Sequence, residues 1–105
     1  MSPRSYAGKV VLVTGGTKGI GLATATLFAE RGARVLIADL KPEGEGAADA
    51  LRGRGFDVLY ETVDVAREPD VERMVRRALE HWGRLDVMVA NAGIGVRGAA
   101  DELQL

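Results

Sequence analysis

The chain has 105 residues, room for one domain or part of one. Its hydrophobic fraction of 47% supports a packed core, and a net charge of −1 with acids and bases interspersed points away from a nucleic-acid partner. The lack of cysteine excludes disulfides and thiolate metal sites, and no run is long and apolar enough to span a bilayer.

Residues 1–8 read as a lead-in without the apolar stretch of a secretion signal, so a cytoplasmic protein with no membrane contact is expected. Lys9 to Thr14 reads as the first strand. Its run Val10-Val11-Leu12-Val13 suits a strand covered on both faces. Gly15, Gly16, Gly19 and Gly21 follow, giving a backbone that can turn sharply and lie close to a ligand. Gly19 to about Arg31 reads as the first helix, with Ile20, Ala23, Leu27 and Phe28 near helical spacing and Gly32 as the stop signal. Few charges precede Glu30, which suits a helix packed closely on a sheet, and Gly21 would let it approach.

Val35 to Asp39 reads as the second strand, apolar until its final acid. Pro42 to Arg54 reads as one helix with Pro at its start and a thin stripe of Ala47, Ala50 and Leu51. Gly44 and Gly46 each cost that helix about 1 kcal/mol relative to Ala. The third strand begins at Phe56 and runs to about Val63. Glu68 to Trp82 carries the clearest helical pattern. Val71, Met74, Val75, Ala78, Leu79 and Trp82 form the apolar face; Glu72, Arg73, Arg76, Arg77, Glu80 and His81 form the solvated one. Gly83 ends it, and Leu85 to Ala90 reads as the fourth strand. Asn91 to Gly98 is glycine-rich, and Ala99 to Leu105 reads as the opening of another helix.

Strands alternating with helices through short connections give right-handed βαβ units and an α/β fold with a parallel sheet. The doubly wound order places the strands 3-2-1-4, so that strands 1 and 4 are neighbours. A crevice opens at their carboxyl ends, lined by Gly15 to Gly21 and by Asn91 to Gly93. There the first helix aims unpaired N–H groups and the positive end of its dipole at whatever lies in front. A pyrophosphate is the natural occupant.

Thr14-Gly15-Gly16-Thr17-Lys18-Gly19-Ile20-Gly21 has the form T-G-x-x-x-G-x-G. It is neither the general G-x-G-x-x-G fingerprint nor a P-loop, because Lys18 is followed by Gly19 and Ile20. It resembles the nucleotide-binding signature of the short-chain dehydrogenase/reductase family. Asp64-Val65 after strand 3, and Asn91-Ala92-Gly93 at the end of a strand-4 block that starts at Trp82, resemble the same family. The resemblance covers nearly the whole chain but only the N-terminal half of the usual domain. It implies a Rossmann fold, incomplete in this chain: residues 1–105 form the NAD(P)-binding portion, with 9–93 carrying the cofactor site and 94–105 starting the next loop and helix.

The resemblance further implies a dinucleotide held by Gly15, Thr17, Lys18, Gly19, Ile20 and Gly21. Asp39 can accept hydrogen bonds from the adenosine ribose hydroxyls and would repel a 2′-phosphate. In the family a basic residue at the position of Lys18 often accompanies a phosphorylated cofactor, so the two residues pull in opposite directions. The acid lies closer to the 2′ position, and a preference for NAD over NADP is expected. Asp64 and Val65 would contact the adenine, Asp64 by its side chain and Val65 by its backbone. Asn91 would tie strand 4 to its neighbour through its amide, Gly93 would let the chain pass the ribose, and Thr14 would buttress this segment.

Two departures stand out. Ala66 replaces the usual Ser or Thr before the third helix, which removes an N-cap worth about 1 kcal/mol. Ala90 replaces the first Asn of N-N-A-G. The family's catalytic Tyr and the Lys four residues later are also missing: Tyr6 and Tyr60 are followed at that spacing by Val10 and Asp64. Neither the family's catalytic Ser nor its later Asn is present.

The chain alone is therefore expected to be inactive. It is read as the cofactor-binding portion of an NAD-dependent enzyme that interconverts alcohols and carbonyls, a homo-oligomer when complete. Strand 4 would be left as an open edge, making the isolated chain marginal or sticky unless another copy or a C-terminal half completes it. The alternative is a catalytically inactive nucleotide-binding or interaction module derived by truncation; another doubly wound nucleotide or methyl-donor binder is a third reading.

Overall fold

The computed structural model describes residues 5–91. Four strands, β1 (Val10–Thr14), β2 (Arg34–Asp39), β3 (Val58–Thr62) and β4 (Val87–Ala90), alternate with three helices, α1 (Gly19–Glu30), α2 (Glu45–Gly53) and α3 (Glu68–Trp82). The strands form one parallel sheet in the order β3-β2-β1-β4. This is the doubly wound arrangement expected from the alternation of elements.

The two-residue period of a strand divides the core. Val11, Val13, Val35, Ile37, Val58 and Tyr60 face one side and pack against Ala25 and Ala29 of α1 and Ala48 and Leu51 of α2. Val10, Leu12, Leu36 and Ala38 face the other side and meet Met74 and Ala78 of α3. All of Val10–Val13 and Val35–Ala38 are buried, because helices cover both faces. β1 is flanked by β2 and β4, and the helices that follow β1 and β3 lie on opposite faces. The crevice at the carboxyl end of β1 follows from that reversal.

Three local expectations need correction. First, α1 turns a different stripe to the sheet. Gly21, Ala25 and Ala29 are its buried residues, while Ile20 is 79% and Leu27 48% exposed. Small residues at spacing four let the helix axis come close, and the larger side chains are displaced outward. Phe28 is half-buried and meets Tyr6 edge-on with ring centroids 4.9 Å apart, which anchors the residues ahead of β1. Second, the expected helix from Pro42 divides into a 3-10 turn, Pro42–Gly44, and α2, whose buried residues are Ala48 and Leu51 rather than Ala47, Ala50 and Leu51. Third, β3 and β4 start later than Phe56 and Leu85.

The entry to α3 compensates for Ala66 in an unforeseen way. The N-cap is Arg67, without a side-chain cap. Instead Asp64 Oδ1 accepts from Ala66 N at 2.9 Å, and Asp70 Oδ2 accepts from Asp64 N at 2.9 Å, so an acid in the first turn reaches back to fix the preceding loop. Glu68 and Asp70 also complement the helix dipole. Gly83 closes the helix in the left-handed region at φ 80°. The polar face is partly engaged. Arg73 and Arg77 both reach Glu61 of β3, at 3.1 and 2.6 Å, and Trp82 Nε1 donates to Asp57 at 3.0 Å.

Asp86 joins β4 to β1, its Oδ2 accepting from Val10 N at 2.8 Å while Arg84 grips both oxygens at 2.9 Å. The Arg84 guanidinium and then the Val10 N–H hold the Asp86 carboxyl below its ordinary value of 3.8. Asp70 is held down in the same sense, by the Asp64 N–H first and then by Arg73 against some desolvation. Groups with depressed folded values stabilise above the unfolded value and lose that contribution as pH falls through the folded one. Unfolding midpoints in urea are therefore expected to stay flat from neutral pH to about 5 and to decline below it. A decline already complete at pH 5 would show that these carboxyls are not held down.

Candidate functional site

The loop after β1 is built by backbone bonds and by the absence of side chains. Gly15 N donates to Ala38 O at 2.7 Å, which fastens the loop to the end of β2. Gly15 and Gly19 have φ of 67° and 60°, in the region that favours glycine. At Gly21 a Cβ would stand 1.9 Å from the Gly15 carbonyl oxygen and 2.7 Å from its carbon. The loop can fold back on α1 only because position 21 has no side chain.

Lys18 is the N-cap of α1 in extended backbone, with no side-chain cap, and the first turn holds no acid. The first helical bond runs from Leu22 N to Lys18 O at 3.3 Å, so the N–H groups of Gly19, Ile20 and Gly21 precede it. The positive end of α1 is left uncompensated, in contrast with α3 and its two acids. A hollow of about 230 Å³ lies here, lined by Gly15, Lys18, Ile20, Gly21 and Asn91.

Asn91 follows β4 directly. Its main-chain N–H donates to Thr14 Oγ1 at 3.0 Å and to Thr14 O at 3.2 Å, and Thr14 Oγ1 lies 3.5 Å from Val89 O. Thr14 thus buttresses the strand-4 end as expected. The tie from Asn91 is made by its main chain, however, and not by its side-chain amide. The side-chain nitrogen is buried and has no hydrogen-bond partner among the described residues. A buried donor without a partner carries a penalty of roughly 1–3 kcal/mol. Ala92 and Gly93, assigned to the same site, lie outside the described residues.

A second cavity of about 370 Å³ lies over the end of β2 and shares Lys18 with the first. It is lined by Thr17, Lys18, Asp39, Leu40, Lys41, Glu43, Gly44 and Ala47. Asp39 is half-buried, and its carboxylate is held from two sides. Oδ2 accepts from Thr17 Oγ1 at 2.5 Å and from Thr17 N at 3.3 Å, and Oδ1 accepts from Leu40 N at 2.8 Å. Burial pushes its pKa up, but the Thr17 hydroxyl, the two N–H donors and the Lys18 charge outweigh it, leaving the carboxyl below its ordinary value. The hydroxyl of Thr17 was not legible as a partner of Asp39. Leu40, Lys41, Glu43, Gly44 and Ala47 were not foreseen as lining residues; Leu40 is 59% exposed.

Asp64 and Val65 sit at the carboxyl end of β3, two strands from β1. One Asp64 oxygen is already used by the loop bond to Ala66, and Val65 is 38% exposed. The structure therefore gives Asp64 a turn-forming task beside any contact with a base. Among the described residues no group of acids or histidines has the arrangement of a metal site, and no helix is long and apolar enough to cross a membrane.

The profile of the family described as short chain dehydrogenase matches residues 9–105. Among curated relatives, the chain is 49% identical over 88 residues to an uncharacterized oxidoreductase of Thermotoga maritima, covering 83% of this chain and 34% of that protein. It is 47% identical over 90 residues to the cis-4-hydroxycyclohexanecarboxylate dehydrogenase of Sinomonas cyclohexanicum, covering 86% and 36%. The crystal structure of a short chain dehydrogenase from Mycobacterium smegmatis superposes with a TM-score of 0.82 at 36% identity, over 86% of this chain and 39% of that one. The chain thus spans about a third of the length of the curated relatives it matches. With its glycine loop, parallel sheet and these matches taken together, the chain belongs to the short-chain dehydrogenase family.

Proposed function

We propose that this chain is the cofactor-binding portion of an NAD-dependent oxidoreductase that interconverts alcohols and carbonyls. The observation that carries the reading is the uncompensated start of α1, whose first turn and positive dipole end border a hollow lined by Gly15, Lys18, Ile20, Gly21 and Asn91. A pyrophosphate supplies the negative charge and acceptors that this corner lacks. Gly15, Gly19, Ile20 and Gly21 would hold it, with Lys18 at its edge.

The neighbouring cavity suits the adenosine half. Asp39 would accept from the ribose hydroxyls with the lone pairs that Thr17 and Leu40 leave open. Leu40 and Val65 offer exposed apolar surface to the base, with Asp64 beside it. On the other side, Asn91, Ala92 and Gly93 would border the nicotinamide ribose. When bound, the nicotinamide supplies the hydride acceptor or donor of the reaction; the residues described here bind and orient it, and proton transfer to substrate falls to the family's Tyr and Lys, which this sequence does not contain.

Asp39 favours NAD. A fixed carboxylate held in its ionised form repels a 2′-phosphate, while Lys18 is exposed and free to reach solvent. Isothermal titration of NAD and of NADP into the full chain tests this. NAD is expected to bind about tenfold or more tightly than NADP, the equivalent of about 1.4 kcal/mol. Tighter NADP binding would overturn the preference, and S-adenosylmethionine binding in place of both would overturn the reading itself.

A further inference from the structure

We infer that Thr17 sets the choice between NAD and NADP, by holding the Asp39 carboxylate in place with its hydroxyl. The inference rests on the reading of the cavity as an adenosine site. Three donors fix Asp39: the Thr17 hydroxyl, the Thr17 N–H and the Leu40 N–H. Leu40 is the next residue in the chain and moves with Asp39. Among the described residues, only Thr17 donates to the carboxylate from another part of the chain, the loop after β1.

Thr17 is itself constrained. A Cβ on Gly44 would lie 2.5 Å from Thr17 Cγ2 and 2.6 Å from Tyr60 Oη, so only a glycine lets the turn lie close beside both side chains. Tyr60 is buried on β3, and its hydroxyl donates to the Lys41 carbonyl, which fastens this turn to the sheet. Tyr60 thus anchors the Pro42–Gly44 turn to β3, the Thr17 methyl packs beside that turn, and the Thr17 hydroxyl holds Asp39.

What a loose Asp39 would do follows from its neighbours. Lys18, Lys41 and Glu43 line the same cavity. With Asp39 fixed, the wall at the end of β2 is negative. With Asp39 released, it can swing toward either ammonium or toward water, and the averaged field softens for an incoming 2′-phosphate. Thr17 is therefore a positioning residue, and its loss should change the ratio of two affinities more than either affinity alone.

The test compares Thr17→Ala with Thr17→Ser in the full chain, two variants that differ by a single oxygen. Dissociation constants for NAD and NADP are measured by calorimetry, and the Asp39 carboxyl is followed by carbon-13 NMR titration without nucleotide. The NADP-to-NAD ratio of dissociation constants is expected to fall about 5–10-fold in Thr17→Ala, the loss of one hydrogen bond to a charged acceptor, and to stay within about 2-fold in Thr17→Ser. The Asp39 titration should move up in Thr17→Ala and stay in place in Thr17→Ser. A ratio unchanged in Thr17→Ala, or lowered equally in both variants, overturns the inference. If wild type fails to prefer NAD, the reading of the site falls and this inference with it; the NMR shift then still reports whether Thr17 holds Asp39. Should Thr17→Ala not fold, Thr17→Val takes its place with the same expectations.

Discussion

Gly21→Ala is expected to weaken NAD binding by about 100-fold or more, the scale at which a displacement of about 1 Å disables a positioned site. The added Cβ would meet the Gly15 carbonyl oxygen at 1.9 Å, its carbon at 2.7 Å and Gly16 Cα at 3.1 Å. All three are backbone atoms, so no side-chain rotation relieves the contact. Either α1 backs away from the loop or the loop lifts from the end of β2, where Gly15 N is bonded to Ala38 O. Both movements displace the N–H groups of the first helical turn from the hollow they line. The cost to the fold is smaller, about 1–3 kcal/mol for an overpacked contact, read from urea unfolding. Gly46→Ala is the matched control. Nothing lies near its Cβ position, and in α2 the change should stabilise by up to about 1 kcal/mol with NAD affinity unchanged. A Gly21→Ala chain that binds NAD within tenfold of wild type would show that the diphosphate does not rest on this loop.

The sheet was legible because its signals are redundant. Val10–Val13 and Val35–Ala38 are apolar at every position, which only a strand covered on both faces requires, and α3 was read with its bounds intact, although Leu79 of its expected apolar face is 46% exposed. The sequence was a poorer guide to which face of α1 is inward. Hydrophobicity favours Ile20 and Leu27, whereas close approach to the sheet favours Gly21, Ala25 and Ala29, and the approach prevails because the loop must fold back over Gly21. The same conflict hides in the turn before α2. Gly44 reads as a costly residue inside a helix, but there it is what lets the turn lie against Tyr60 and Thr17. The residues of the site were legible one by one, through their spacing. Their couplings were not. That Thr17 donates to Asp39, 22 positions along the chain, depends on where the loop returns over β2, and no local pattern encodes it. Likewise, that Asn91 uses its main chain toward Thr14 and leaves its side-chain nitrogen without a partner among the described residues follows from the register of β4 against β1, in which Thr14 faces Ala90.

Asp39→Asn separates the shape of the cavity from its charge. Asparagine has nearly the size of aspartate, and its carbonyl oxygen can still accept from the Thr17 hydroxyl that now meets Oδ2 at 2.5 Å. The negative charge of Asp39 disappears, while Lys18, Lys41 and Glu43 remain along the same cavity. Two consequences follow with opposite signs. The ribose hydroxyls lose a charged acceptor, worth roughly 1.5–3 kcal/mol, so NAD affinity should fall about tenfold or more. A 2′-phosphate loses a repulsion of about 1 kcal/mol per pair of unit charges at 4 Å in water, and several times that in a partly desolvated cavity, so NADP affinity should rise by a similar factor. The preference is then expected to invert, and the gain for NADP should shrink in high salt, which screens exposed lysines. If the two affinities fall together, Asp39 acts only through the fold. If neither changes, the ribose lies elsewhere, and the acid at the end of β2 does no more than fasten the glycine loop through Thr17.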